Sequence, residues 1–116
     1  MKISTTYLSS KIKDGFKMTN REDIFTFLKN NKNYLHDRFH VKRIGVFGSF
    51  ARGNYNENSD VDIIVELDEN TKNIHEIKNE LRDFLKENLE RDVDIAREKY
   101  LKSRIKEEIL EETIYV

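Results

Sequence analysis

The sequence contains no cysteine, no proline and no tryptophan, and only 4 glycines among its 116 residues. Without cysteine there is no disulfide framework and no thiolate metal site. No apolar run approaches the roughly 18 residues that would suggest a membrane-spanning helix. The first residues mix Lys, Ser and Tyr and form no continuous apolar block, so they do not read as a secretory signal, and a cytoplasmic location is expected. Neither sign of charge is in excess, with 21 basic residues against 22 acidic. A protein whose main task is to coat nucleic acid needs a surplus of Lys and Arg to displace counterions, so direct nucleic-acid binding is not expected. Repeats and low-complexity tracts are also missing.

What remains is a chain that is 37% hydrophobic and 37% charged, enough apolar matter for one small core and one domain at most. Residues 1–17 carry Lys2, Lys11, Lys13 and Lys17 with little periodicity and read as a loosely held arm, and Met18 is an alternative start; the domain is expected over 18–116. Thr19 and Glu22, three apart, have the spacing of a capping box ahead of Ile24, Phe27, Leu28, Leu35 and Phe39, which predicts one helix ending near His40. Val41 to Phe47 reads as a strand despite Gly45, Phe50 to Arg52 as a helical turn, and 53–59 as a polar loop. From Val61 to Leu67 the side chains alternate, with Val61, Ile63, Val65 and Leu67 facing one way and Asp62, Ile64 and Glu66 the other. Ile74, Ile77, Leu81, Phe84, Leu85 and Leu89 recur in steps of three and four, predicting an amphipathic helix over 72–89. A short strand over 91–96 follows, then a helix over 100–111 with Leu101, Ile105, Ile109 and Leu110 inward, and an edge strand at 114–116. Glu98 and Lys102, four apart, look like routine surface stabilisation of that helix. This order implies an α/β or α+β unit, a small mixed sheet flanked by helices.

The chemistry concentrates in Gly48-Ser49, followed ten residues later by Asp60-Val61-Asp62. Side chains two apart on a strand share a face, so Asp60 and Asp62 project into one volume. Two adjacent carboxylates repel each other, and a hard divalent cation such as Mg²⁺, which prefers oxygen ligands and shares its shell with phosphates, reconciles them. Glycine at position 48 lets backbone N–H groups approach an anion, the Ser49 hydroxyl adds a donor, and Arg52 offers a permanent bidentate charge, so this turn can cradle a polyphosphate. It is no Walker loop, because the G-x-x-x-x-G-K-[ST] arrangement is absent. A displacement run by two metal ions needs a further carboxylate. Asp92 and Asp94 are available, and Asp94 is favoured, as ligand and as acceptor of the incoming hydroxyl's proton, if its strand lies beside Asp60 and Asp62. Ser59 could cap or orient Asp60.

A lone D-x-D is common on solvated strands. From this chain's composition, however, the full pattern is expected by chance on the order of 0.001 times. His36 and His40 lack an H-E-x-x-H frame, and no G-x-S-x-G is present.

The stretch GSFARGNYNENSDVDIIVE (48–66), together with RDVDIA (91–96), resembles the DNA polymerase β-like nucleotidyltransferase superfamily, and within it the minimal nucleotidyltransferases, the MntA-type antitoxins encoded beside HEPN-domain toxins. The resemblance implies that Gly48 and Ser49 hold a nucleotide triphosphate, that Asp60 and Asp62 bind two Mg²⁺ ions, and that Asp94 is the third carboxylate. It implies transfer of AMP from ATP to a hydroxyl. A chain of this length leaves no space for an acceptor-binding domain, so the acceptor must come from outside; the resemblance suggests a tyrosine on a partner HEPN toxin. The rival expectations are a non-catalytic antitoxin that blocks its partner by occlusion, and transfer to a small molecule. The sequence does not determine oligomeric state, and a homo-oligomer is compatible with it.

Overall fold

A computed structural model describes residues 20–116. The expected arm over 1–17, the alternative start at Met18, and Thr19 lie outside the described residues. The chain runs α1 (Arg21–Asn30), α2 (Lys32–Phe39), β1 (Val41–Phe47), α3 (Gly48–Arg52), β2 (Val61–Leu67), α4 (Ile74–Leu89), β3 (Val93–Arg97), a 3-10 turn (Glu98–Tyr100), α5 (Ser103–Glu112) and β4 (Ile114–Tyr115). Four strands form one mixed sheet in the order β3-β2-β1-β4. β1 is antiparallel to both β2 and β4, and β2 is parallel to β3. The long helix α4 makes the crossover that a parallel pair requires.

The first helix departs from expectation in two ways. Its capping box is Asn20 with Asp23: the Asn20 side chain accepts from the Asp23 N–H at 2.9 Å, and the Asp23 carboxylate accepts from the Asn20 N–H. The box therefore sits one residue beyond the expected Thr19–Glu22 pair, as Asn caps at least as well as Thr. The helix also breaks at Asn31, whose buried side-chain amide donates to the Phe27 carbonyl at 2.8 Å. This break lets α1 present Ile24, Phe27 and Leu28, and α2 present Leu35 and Phe39, to one core. α2 stops at His40, which takes a left-handed conformation with φ 61°.

The sheet has two unlike faces. Ile44 and Val46 of β1, Val61, Ile63 and Val65 of β2, and Val93 and Ile95 of β3 bury against α1, α2 and α4, whose Leu81, Leu85 and Leu89 complete the core. Phe84 links the helices, with its ring 5.5 Å from Phe39 and 5.9 Å from Phe27. The other face carries Asp62, Ile64, Asp94 and Ala96 in cross-strand register. Ile64 was expected on the face it shares with Asp62 and Glu66, yet it is fully buried, level with Gly45 of β1 on one side and Ala96 of β3 on the other. Gly45 also has a reason: a Cβ there would stand 2.8 Å from Thr113 Cγ2 and 2.9 Å from Tyr115 Cδ1, so the glycine makes room for β4.

The C-terminal part corrects further expectations. Tyr100 lies in the 3-10 turn, ahead of the helix, and Ile105 is 49% exposed, although it was expected inward. Glu98 does not serve as a helical partner of Lys102: it accepts a 2.6 Å hydrogen bond from the Tyr115 hydroxyl and lies 3.9 Å from Arg43. Among the described residues no helix is long and apolar enough to cross a membrane.

Candidate active site

β1 ends where α3 begins, and the junction is Gly48. Its φ is +73°, and a Cβ at this position would run into the Asp62 carboxylate from the neighbouring strand. The glycine is thus required twice, once for its backbone and once for the space beside Asp62. α3 is anchored by Phe50, which is fully buried and stacks on Tyr55 with ring centroids 4.2 Å apart. The turn closes at Gly53, φ +86°, whose N–H donates to the Ser49 carbonyl at 2.9 Å.

The loop from 53 to 60 delivers Asp60 and is held by a residue that the sequence pattern does not flag. Arg91 is 4% exposed, and its Nη1 donates to the carbonyls of Asn56, Glu57 and Ser59 at 3.0, 3.1 and 3.1 Å. Its guanidinium also lies over the Phe50 ring, 4.9 Å from the centroid. Burial lowers the Arg91 pKa, and the negative charge available from Tyr55 and Glu57 opposes that shift. Arg91 therefore ties the loop to α3 and to the start of β3. The Ser59 hydroxyl accepts from the Asn56 N–H at 2.9 Å, so the hydrogen bonds found for that hydroxyl run within its own loop.

Strand pairing brings two of the acidic residues level. In the parallel β2–β3 ladder Asp62 is level with Asp94, on strands roughly 4.8 Å apart. Asp92, the alternative, pairs with Lys86 of α4 at 3.0 Å. Burial pushes the Asp62 carboxyl up to about 6 from its ordinary 3.8, the charges of Asp94, Asp60 and Glu112 push it the same way in that order, and Arg52 pulls it down. Asp60 and Asp94 are themselves exposed. A half-buried carboxyl crowded by like charges is a site that a cation would relieve. Among the described residues, no three His, Cys, Asp or Glu side chains stand close enough together to hold a metal ion.

Glu112, at the end of α5, likewise goes unmarked in the sequence pattern. Its Oε2 accepts from the Gly48 N–H at 2.7 Å and its Oε1 from Arg52 Nη1 at 3.0 Å. Neither Arg91 nor Glu112 carries a local sequence signal, because their partners stand 32 to 35 and 60 to 64 positions away.

A glycine-serine turn at a strand end, paired aspartates at the start of the next strand and a further aspartate on a parallel neighbour define a class, and residues 28–116 match the model of the nucleotidyltransferase domain family; the chain belongs to that family. Within it, the chain falls with the small MntA-type members. It is 40% identical to "Protein adenylyltransferase MntA" of Thermococcus cleftensis over 99 residues, 85% of this chain and 98% of the relative. A solved structure provisionally described as a minimal nucleotidyltransferase is similar with a TM-score of 0.64 and 32% identity, covering 78% of this chain and 93% of the other. A toxin-antitoxin crystal structure with AMP-PNP is similar with a TM-score of 0.61 and 25% identity, covering 75% of this chain and 69% of the other.

Proposed function

We propose that this nucleotidyltransferase is the antitoxin of a toxin-antitoxin pair and transfers AMP from ATP to a hydroxyl, that of a tyrosine, on a HEPN-type partner toxin. The acceptor oxygen forms a bond to the α-phosphorus of ATP, the bond to the bridging oxygen breaks, pyrophosphate leaves with that electron pair, and Asp94 takes the hydroxyl proton. Gly48 and Ser49 hold the triphosphate, Arg52 adds a guanidinium, and Ser59 acts from its loop to steady Asp60. Asp60, Asp62 and Asp94 would hold two Mg²⁺ ions. The all-oxygen donor set suits a hard cation that completes its shell with water and phosphate, and once bound the ions would supply charge neutralisation and a polarised acceptor oxygen. ATP as substrate fits a cytoplasmic setting.

The observation that carries this reading is the pairing of Asp62 with Asp94 directly beside the Gly48 turn. Support for the acceptor comes from the relatives, one named as a protein adenylyltransferase and one solved as a toxin-antitoxin with AMP-PNP. The test is incubation of the chain with α-labelled ATP, Mg²⁺ and the product of the neighbouring toxin gene. Label is expected on a toxin tyrosine, lost with Asp60→Ala or Asp62→Ala. Unlabelled toxin that is nonetheless silenced by the chain would replace the enzyme reading with occlusion.

A further inference from the structure

Two donors of the Gly48 turn, the Gly48 N–H and Arg52, are engaged by an acid from the far end of the chain. Both oxygens of Glu112 are used, one by the Gly48 N–H at 2.7 Å and one by Arg52 at 3.0 Å. A carboxylate with two oxygens on a backbone N–H and a guanidinium makes the contacts that a phosphate would make there. The Glu112 side chain is 26% exposed, and its position follows from the strap that succeeds it. The Thr113 N–H and hydroxyl both donate to the Ile109 carbonyl, at 3.0 and 2.6 Å. β4 pairs Ile114 with Val46 and Tyr115 with Gly45. The Val116 N–H donates to the Ile44 carbonyl at 3.1 Å, and Arg43 lies over the Tyr115 ring at 3.8 Å. The fold thus delivers a negative charge into a site that already has Asp60, Asp62 and Asp94, where like charge is costly.

We propose that Glu112 is an internal stand-in for phosphate: it keeps the Gly48 N–H and Arg52 oriented in the nucleotide-free protein and is displaced by the polyphosphate of the incoming nucleotide. Glu112 is then a selectivity residue. A ligand with several phosphate charges and its cation displaces it, whereas a single phosphate group competes poorly. This inference rests on the nucleotidyltransferase reading.

The test is calorimetric titration of the full chain and of Glu112→Gln, Glu112→Ala and Glu112→Asp with α,β-methylene-ATP and with AMP, each in Mg²⁺. Removing the charge is expected to tighten binding of the ATP analogue about tenfold, the equivalent of ~1.4 kcal/mol, and to raise AMP affinity by more than that. Glu112→Asp, one methylene shorter, is expected to tighten binding less than Glu112→Gln. Loss of folding cannot tighten binding, so the readout separates displacement from a merely structural role. As a measurement without substitution, the Gly48 amide resonance of the unaltered chain should move on addition of the ATP analogue and stay in place with AMP at equal concentration. Equal or weaker nucleotide binding by Glu112→Gln, or a Gly48 resonance unmoved at saturation with the analogue, overturns the inference while leaving the nucleotidyltransferase reading intact. Failure of the unaltered, folded chain to bind the analogue at all overturns the nucleotidyltransferase reading itself.

Discussion

Two glycines in left-handed conformations bracket α3, and they differ in what surrounds them. At Gly48, φ +73°, a side chain would meet the Asp62 carboxylate; at Gly53, φ +86°, a Cβ would have nothing within 4 Å. Gly53→Ala should therefore cost only the backbone penalty of about 1–2 kcal/mol and spare nucleotide transfer. Gly48→Ala should cost more than that, because the Asp62 side chain must also move, and should abolish transfer. Urea denaturation with a parallel transfer assay checks the pair, and equal costs at the two positions would contradict the geometry. The same comparison explains why the sequence pattern needs glycine at 48: the residue beside it in space is one of the acids of the site, 14 positions further along the chain.

At the scale of elements, the loop before β2 is held by an element that comes after α4. Arg91 reaches three carbonyls of the loop from the threshold of β3 while its guanidinium covers Phe50 of α3. Replacing it with alanine removes a buried side chain and leaves three loop carbonyls without that donor, and Arg91→Ala is expected to lose about 2–4 kcal/mol of stability and most of the transfer activity, since Asp60 follows the loop directly. Arg91→Lys should rescue little, because a single ammonium cannot reproduce the planar fork. Thermal denaturation and amide exchange over 54–60 are the measurements; protection of that loop retained in Arg91→Lys would contradict the assignment. The break at Asn31 and the short β4 belong to the same scale. Both are places where an element is shaped by what it packs on: Asn31 turns the chain so that two helices share a core, and β4 settles on β1 where Gly45 leaves space.

For the molecule as a whole, the acid cluster is a stability cost in the absence of cations. The Asp62 carboxyl has its pKa raised from 3.8 to about 6 on folding, mainly through burial. Between those values the folded chain binds more protons than the unfolded one, so this group's contribution makes stability fall as pH rises from about 4 to about 6, with no further change from it on either side. In metal-free protein, Asp62→Asn should match the unaltered chain near pH 4 and exceed it in melting temperature above pH 6. Mg²⁺ should narrow the gap at pH 7 by stabilising the unaltered chain alone. A substitution that lowers the melting temperature at pH 7 without metal would contradict the cluster's repulsion.

The sequence by itself determined most of the elements and part of the candidate site. Apolar spacing located β1, β2, α4 and β3 to within about two residues, because helix and strand periods are set by neighbours two to four positions apart. Gly48-Ser49 and Asp60-Val61-Asp62 were legible for the same reason, each being a local pattern. Which of Asp92 and Asp94 meets Asp62 had no local signal; the parallel register of β2 with β3 decided it, setting Asp94 level with Asp62 while Asp92 went to Lys86. Alternation alone placed Ile64 on the face of Asp62 and Glu66, and its burial followed from the central position of β2 between β1 and β3. Arg91 and Glu112 entered the site only through closure of the sheet, which brought β3 against the 53–60 loop and β4 against β1. Contacts that span 30 or more residues depend on how the sheet closes, and no spacing within a single segment encodes that.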